Sequence, residues 1–272
     1  MTVAAESVGV AADKHGLPEG LAVRDVRVVY GGHVAVSKVD LDAPLGRVTG
    51  LIGPNGAGKT TTFNACSGLL KPTNGTFSLL GSDVSRIGAS GRARRGLGRT
   101  FQRVEVCEAM DVLTNVALGL EARTIGRNPL RQFGGARAQQ RQIIETAEQA
   151  LHRCGIADIA DRPVGMLSIG QKRLVELARV LTGGFQVMLL DEPSSGLDEE
   201  ETKRFGEVLR SVMNERTGIL LVEHDMSLVM QLCEYIYVLD FGNLIFTGSP
   251  GEVRDSETVR TAYLGESAEA TS

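Results

Sequence analysis

The segment GPNGAGKT, residues 53–60, has the residue types and the spacing needed to bind phosphate. It fits the pattern G-x-x-x-x-G-K-[ST], follows the apolar run RVTGLI, and precedes a segment typical of a helix. Glycines allow backbone N–H groups to converge on phosphate oxygens, and the N-terminus of the following helix adds a favourable dipole. The pattern therefore predicts a site for a nucleoside triphosphate.

Each residue of this phosphate loop has an expected role. Lys59 would reach the β- and γ-phosphates, Thr60 would coordinate Mg²⁺, and Thr61 would contact the α-phosphate. The alternative is an ordinary glycine turn before a helix, which the flanking strand and helix argue against. The other residues of the loop would surround the phosphates of the bound nucleotide, and they are Gly53, Pro54, Asn55, Gly56, Ala57 and Gly58.

Two adjacent carboxylates, Asp191 and Glu192, follow the apolar run VMLL at residues 187–190. An unpaired charge is costly at the end of a dry strand, so the pair needs partners. At the carboxyl edge of an α/β sheet, Mg²⁺ and the nucleotide would supply them. We expect Asp191 to hold the metal through water and Glu192 to act as the general base on the attacking water. The alternative is that both are exposed charges at a strand end.

The elements that must position these residues alternate between strand and helix patterns. LAVRDVRVVY and HVAVSKVDLD, separated by a Gly-Gly turn, predict an antiparallel hairpin, and RVTGLI, VMLL, GILLVEHD and YIYVLD predict buried strands. Helical periodicity runs from residue 104 to about 165, and a further amphipathic helix follows it. The sequence therefore predicts an α/β fold with a mainly parallel core sheet, an N-terminal antiparallel β subdomain, and a helical subdomain inserted at about 104–180.

The chain ends indicate the domain boundaries, and the composition indicates which partners to expect. We expect residues 1–20 to form a flexible leader, 21–265 to form the nucleotide-binding domain, and 266–272 to form a frayed tail. A net charge of −4 and a pI of about 5.7 provide no overall basic field, so we expect no nucleic acid partner.

Four cysteines lie in apolar or helical contexts that are typical of reduced, packed thiols, which indicates a cytosolic protein: Cys66, Cys107, Cys154 and Cys233. The N-terminus lacks the pattern of a signal peptide, and no window approaches the ~18 apolar residues that cross a bilayer. Any contact with a membrane would therefore be peripheral.

The segment LSIGQ, residues 167–171, lies one helix ahead of the strand that ends in Asp191. At this point the sequence resembles the ATP-binding subunits of ABC transporters, whose signature is usually written LSGGQ. Ile169 replaces a glycine here, while Ser168, Gly170 and Gln171 keep the pattern. Ser168 and Gln171 also fit a capping box at a helix N-terminus. The resemblance implies that this helix tip faces the γ-phosphate held by a second subunit.

Four further positions match the family in order along the chain. Tyr30 resembles the aromatic residue that stacks on adenine, with a strand-end surface aromatic as the alternative. Gln102, in RTFQ, resembles the residue that links the metal and the attacking water to the membrane partner. Asp198, in SSGLD, resembles the residue that couples the two sites of a dimer. His224, in LLVEHD, resembles the switch histidine at the γ-phosphate, with a structural histidine as the alternative.

The resemblance covers about residues 21–265 and implies an ATPase that uses Mg²⁺ and drives transport. One chain has one phosphate loop and one signature, so a second ATPase subunit, identical or a sister chain, is expected in a head-to-tail dimer. Polytopic permease subunits would bind it at the cytoplasmic face of the membrane, with an extracytoplasmic solute-binding protein as an indirect partner.

Within the family, the segment after RTFQ, the stretch EHDMSLVM and the ending AYLGE are most similar to the ATPases of branched-chain amino acid importers. The alternatives are the ATPase of a lipid or lipopolysaccharide export system and a soluble assembly ATPase. Residues 121–142 contain five arginines against Glu121, which indicates either a solvated basic face or contact with lipid headgroups or an acidic partner.

Overall fold

The computed structural model describes residues 19–100, 102, 104–125, 136–214 and 216–269, without the side chains of residues 121–137 and 264–269. Most of the predicted leader therefore lies outside the described part, and so do the side chains of four of the five arginines of segment 121–142. In that segment the side chain of Arg141 is described, and it is exposed. Gly20, which the leader was predicted to include, is buried, and its carbonyl accepts a hydrogen bond from the Leu80 N–H at 2.7 Å. The fold therefore begins slightly before the predicted boundary.

The N-terminal part is an antiparallel sheet, as the alternating pattern predicted. Strands β1 (Leu21–Tyr30) and β2 (His33–Ala43) form a hairpin, and β4 (Asn74–Leu79) and β5 (Ser82–Asp83) extend it on the β1 side. The hairpin turns at two glycines with positive φ, Gly31 and Gly32, because a tight turn of this hand favours residues without a Cβ.

The core of the molecule is the parallel part of one ten-stranded sheet with the order β5-β4-β1-β2-β10-β9-β3-β8-β7-β6. The five strands from β9 to β6 are parallel, and β10 pairs antiparallel with β9 and contacts β2. Every residue of β3, β7 and β8 is buried, which explains their continuous apolar sequences. These strands are β3 (Val48–Ile52), β6 (Leu97–Arg99), β7 (Val187–Asp191), β8 (Gly218–Val222), β9 (Tyr235–Asp240) and β10 (Asn243–Gly248).

Nine helices among the described residues cover the sheet and form the insertion: α1 (Lys59–Ser67), α2 (Ala89–Arg94), α3 (Val112–Ile125), α4 (Ala136–Arg153), α5 (Ile169–Thr182), α6 (Glu199–Val212), α7 (Met226–Leu232), α8 (Pro250–Asp255) and α9 (Glu257–Glu269). Helices α3, α4 and α5 pack against one another. The four positions that indicated the α4 helix are all buried: Ile143, Ala147, Ala150 and Cys154.

Two predictions about the chain are wrong. Residues 266–269 were predicted to belong to a frayed tail, yet helix α9 continues to Glu269, since its glutamates, alanines and leucine are good helix formers. Cys107 was predicted to be a packed thiol, yet it is exposed, because it precedes α3 in a turn. Among the described residues, no helix combines the length and the apolar character needed to cross a membrane.

Candidate functional site

The phosphate loop connects β3 to α1, as its sequence pattern predicted. Gly58 adopts a φ of 95°, and a Cβ there would lie 2.7 Å from the carbonyl oxygen of Ala35, so a side chain is excluded. Glycine at this cap also leaves the first N–H groups of α1 for an anion. The ammonium of Lys59 lies inside the loop, where it donates to the carbonyl oxygens of Gly53 at 2.6 Å and Pro54 at 2.8 Å.

The carboxylate of Asp191 lies at the end of β7 and is paired within the chain. Arg99 Nη2 lies 3.0 Å from Asp191 Oδ2, and the backbone N–H of Asp191 donates to Thr100 Oγ1 at 3.2 Å. Burial raises the pKa of Asp191 above its usual range, and the positive charge of Arg99 opposes this shift. The prediction that metal and nucleotide alone neutralise the carboxylates was therefore incomplete.

Arg99 also ties the phosphate-loop helix to the carboxylate strand. Its Nη1 donates to Asn64 Oδ1 at 2.7 Å and to Ser67 Oγ at 2.8 Å, and its guanidinium lies 4.7 Å from the centre of the Phe63 ring. Asn64, Ser67 and Phe63 all belong to α1. Burial lowers the pKa of Arg99, and Asp191 acts in the opposite direction. The quoted motif RTFQ began with this arginine, but its type alone gave no reason to assign it to the site.

Glu192 follows Asp191 and turns out of the strand with a φ of 44°, which is uncommon outside glycine. Its backbone N–H donates to the carbonyl oxygen of Val222 at 2.8 Å. Gln102 Nε2 donates to Glu192 Oε2 at 2.7 Å, and His224 Nδ1 lies 4.0 Å from the same oxygen. The structure thus brings together the three side chains that were predicted to act in catalysis, because β6, β7 and β8 are parallel and end at the same edge.

Glu223 is a buried carboxylate that sequence reasoning did not assign. Its Oε1 accepts from the Ser194 N–H at 2.8 Å, and its Oε2 accepts from the His224 N–H at 3.0 Å and the Asp225 N–H at 3.3 Å. These bonds fix the loop after Glu192 to the loop that carries His224. In the sequence, the position of Glu223 directly after the apolar run of β8 could have indicated a carboxylate at the sheet edge.

The signature segment has the capping box that its sequence predicted. The N–H of Gln171 donates to Ser168 Oγ at 3.2 Å, and the N–H of Ser168 donates to Gln171 Oε1 at 3.2 Å. Asp198 caps α6 in the same way, with Glu201 as its partner. Both helix tips carry a predicted site residue at the N-cap.

The two helix tips also touch each other through Glu201. Ser168 Oγ donates to Glu201 Oε1 at 3.4 Å, and a Cβ at Gly170 would lie 2.6 Å from that oxygen. A side chain at position 170 would therefore displace the Glu201 carboxylate. Ile169, which stands where the usual signature has glycine, is half exposed and packs beside Gly196.

The remaining predicted positions lie on the surface around these groups. Tyr30 is half exposed at the end of β1, Thr60 is exposed at the start of α1, and Thr61 is partly buried. The oxygen donors Thr60, Gln102 and Asp191 suit Mg²⁺, which binds few protein ligands and keeps water and phosphate ligands. Among the described residues, no group of three or more His, Cys, Asp or Glu side chains could by itself hold a metal ion.

Comparison with known protein families gives two matches. The family described as "ABC transporter" matches residues 36–195, and the family described as "Branched-chain amino acid ATP-binding cassette transporter" matches residues 243–269.

Individual relatives extend over nearly the whole chain. The high-affinity branched-chain amino acid transport ATP-binding protein LivG of Salmonella typhimurium is 38% identical over 90% of this chain and 98% of its own length. BraF of Pseudomonas aeruginosa, with the same description, is 34% identical over 90% and 98%. The lipopolysaccharide export system ATP-binding protein LptB of Haemophilus influenzae is 32% identical over 90% and 97%.

A crystal structure of the ADP conformation of an ATP-binding cassette of an ABC transporter has the same fold. It superimposes with a TM-score of 0.78 at 25% sequence identity, and the match covers 91% of this chain and 99% of that chain.

Proposed function

Because the chain belongs to the ATP-binding subunits of ABC transporters, which couple ATP hydrolysis to transport, we propose that it powers import of branched-chain amino acids or a related small solute. The observation that carries the importer assignment is the match of residues 243–269 to the branched-chain amino acid transporter family. This segment comprises β10, α8 and α9, and it lies outside the part that matches ABC transporters in general.

ATP would bind by replacing contacts that the phosphate loop now makes with itself. Lys59 donates to the carbonyl oxygens of Gly53 and Pro54, and phosphate oxygens would take over these hydrogen bonds. The N–H groups at the start of α1 would contact the phosphates, since the helix dipole favours an anion there. Tyr30, half exposed at the end of β1, would stack on adenine.

Hydrolysis would use Glu192 as the general base. Its carboxylate is partly exposed, and Gln102 and His224 both lie beside the same oxygen, so it can accept a proton from a water molecule at that edge. Thr60, Asp191 and Gln102 would hold Mg²⁺, which neutralises developing negative charge on the phosphates. A carboxylate has two oxygens with two lone pairs each, so Glu192 can accept the proton of the water molecule while Gln102 keeps its hydrogen bond to Oε2.

Two chains are needed for a complete site. In this chain Ser168 contacts Glu201 at the start of α6. The phosphate loop contacts β2 and the turn before β10, so the signature and the loop have different neighbours within one chain. We propose that the signature of one subunit covers the ATP of another in a head-to-tail dimer. Dimer closure and reopening would act on polytopic permease subunits at the cytoplasmic face of the membrane, and a solute-binding protein would deliver the substrate to them.

The second candidate function is lipopolysaccharide export, because the LptB relatives match 90% and 87% of the chain, against 90% for the importer relatives. Co-purification of the tagged chain from its own membranes separates the two functions. Recovery of two permeases with a solute-binding protein, and ATPase activity stimulated by leucine-loaded binding protein in proteoliposomes, would support import. Recovery of a lipopolysaccharide extraction complex, or stimulation by lipopolysaccharide alone, would contradict it.

A further inference from the structure

Arg173 is a buried cation on the signature helix α5, five residues after Ser168. Its side chain is 3% exposed, and its Nη1 lies 3.1 Å from Oε2 of Glu176, which is 2% exposed. Both residues lie inside the protein, where a single charge without its partner would be strongly destabilising. The ion pair accounts for one edge of the guanidinium.

The other edge of the guanidinium reaches the catalytic loops. Arg173 Nη2 donates to the backbone carbonyl oxygen of Gln102 at 2.7 Å and approaches that of Ser195 at 3.5 Å. Gln102 is the residue whose side chain donates to Glu192, and Ser195 follows Glu192 by three positions. One side chain of α5 thus contacts the loop after β6 and the loop after β7.

We propose that Arg173 is a positioning residue that holds Gln102 beside Glu192 and so makes hydrolysis depend on the position of the signature helix. This inference rests on the proposed ATPase function and names no new contact with the nucleotide. The guanidinium of Arg173 acts through the backbone of Gln102, while the amide of Gln102 acts on Glu192.

The shape of the Arg173 guanidinium explains how α5 can control the position of Gln102. A planar guanidinium can hold a carboxylate on one edge and a carbonyl oxygen on the other in a fixed relation. If α5 shifts when Ser168 meets the partner's ATP, Arg173 moves the Gln102 backbone with it. A displacement of about 1 Å at a catalytic group is enough to lower turnover by on the order of 10²-fold.

Two variants separate the positioning of Gln102 by Arg173 from the charge balance of the Arg173–Glu176 pair. One removes only the carboxylate, and the other removes both charges. Glu176→Gln keeps the contacts of Arg173 with Gln102 and Ser195, whereas Arg173→Gln combined with Glu176→Gln removes them and leaves no buried charge. The single variant leaves Arg173 without its counter-charge and should melt at a lower Tm. At a temperature where it is folded, we expect its kcat to stay within about twofold of the wild type. We expect the double variant to lose about 10- to 100-fold in kcat with its Kd for ATP unchanged.

A second comparison asks whether Arg173 acts through Gln102. Gln102→Ala should lower kcat on its own. Adding Arg173→Gln and Glu176→Gln to it should cause little further loss of kcat, because Arg173 acts through Gln102. Arg173→Lys should give an intermediate kcat, since one ammonium cannot replace the fork. If the amide pair does not fold, Arg173→Met with Glu176→Leu offers an apolar pair of similar size.

Equal kcat in the single and the double variant would overturn the proposal, and so would fully additive losses with Gln102→Ala. Failure of the proposed function is a separate result. It would appear in the wild-type chain, as an absence of ATP binding and hydrolysis, before any variant of Arg173 is compared.

Discussion

Gln102 Nε2 donates a 2.7 Å hydrogen bond to Glu192 Oε2. This bond joins the segment after β6 to the segment after β7 at the candidate site. Glu192 is held there by a left-handed backbone with a φ of 44° and by the hydrogen bond from its N–H to Val222. A strained backbone conformation such as that of Glu192 persists only when the surrounding structure holds it in place. The carboxylate is thus positioned at the sheet edge before any substrate arrives.

The base assignment predicts the effect of Glu192→Gln. The amide keeps the size of the side chain but cannot take a proton, so turnover should fall by on the order of 10²–10⁴-fold while ATP still binds. Phosphate release and equilibrium ATP binding measure the two effects, and size-exclusion chromatography with ATP should show a trapped dimer. Glu207→Gln, an exposed substitution on α6, is the matched control. Near-normal hydrolysis by the Glu192 variant would remove Glu192 as the base.

Lys59→Ala should weaken ATP binding itself. The ammonium lies within the phosphate loop, and loss of hydrogen bonds from a charged donor to phosphate should lower affinity about 10- to 100-fold. Isothermal titration with ATP and with AMP tests this, because AMP lacks the phosphates that Lys59 would contact. An unchanged affinity for ATP would show that Lys59 does not bind the phosphates.

Arg99→Met should destabilise the chain through Asp191. The side chains of Arg99 and Asp191 are 12% and 5% exposed, and removal of the cation leaves a largely buried carboxylate without its counter-charge. A loss of about 3 kcal/mol in the free energy of unfolding follows, seen as a lower Tm.

Two comparisons make the Arg99 prediction specific. Asp191→Asn added to Arg99→Met should restore part of the lost stability, because it removes the unpaired charge. Arg94→Met, at an exposed position of α2, should leave the Tm nearly unchanged. If the Arg99 variant melts like the Arg94 variant, the ion pair with Asp191 contributes little to stability.

Glu201→Gln should tighten ATP-dependent dimerisation. The carboxylate of Glu201 lies against Ser168 and Gly170, where the partner's γ-phosphate would have to approach, and two negative charges repel each other there. Glutamine can still accept the capping hydrogen bond from Asp198, so the helix tip is kept.

In a Glu192→Gln background, the Glu201 change should lower the ATP concentration needed for half-maximal dimer by about three- to tenfold. Glu200→Gln, in the same turn but exposed, should have little effect. Weaker dimerisation than in the Glu200 control would mean that the charge of Glu201 supports the interface instead of opposing it.

Cysteine labelling checks the burial of the thiols. Burial raises the pKa of Cys66 and of Cys154 to about 12 and also raises that of Cys233, so these thiols stay protonated and inaccessible at pH 8. Cys107 is exposed and should react. Mass spectrometry after maleimide treatment should show one label on the native chain and four after unfolding in guanidinium. Cys107→Ser should abolish native labelling, and a second native label would contradict the packing of the three buried thiols.

The sequence by itself determined those parts of the site that are made of consecutive residues. The phosphate loop, the adjacent Asp191 and Glu192, and the capping box of Ser168 and Gln171 depend on spacings of a few residues, which local backbone geometry converts directly into structure. The continuous apolar runs of β3, β7 and β8 likewise identified buried parallel strands.

Only the tertiary structure decided which charged groups accompany these motifs. Arg99 and Asp191 are 92 positions apart in the chain, and Arg173 and Gln102 are 71 apart. Such pairs form because parallel strands end at one edge and α5 contacts the loops after β6 and β7 through Arg173, and neither fact is contained in the spacing around a single residue. A buried arginine looks like any other arginine in the sequence, since its partner is chosen by the fold.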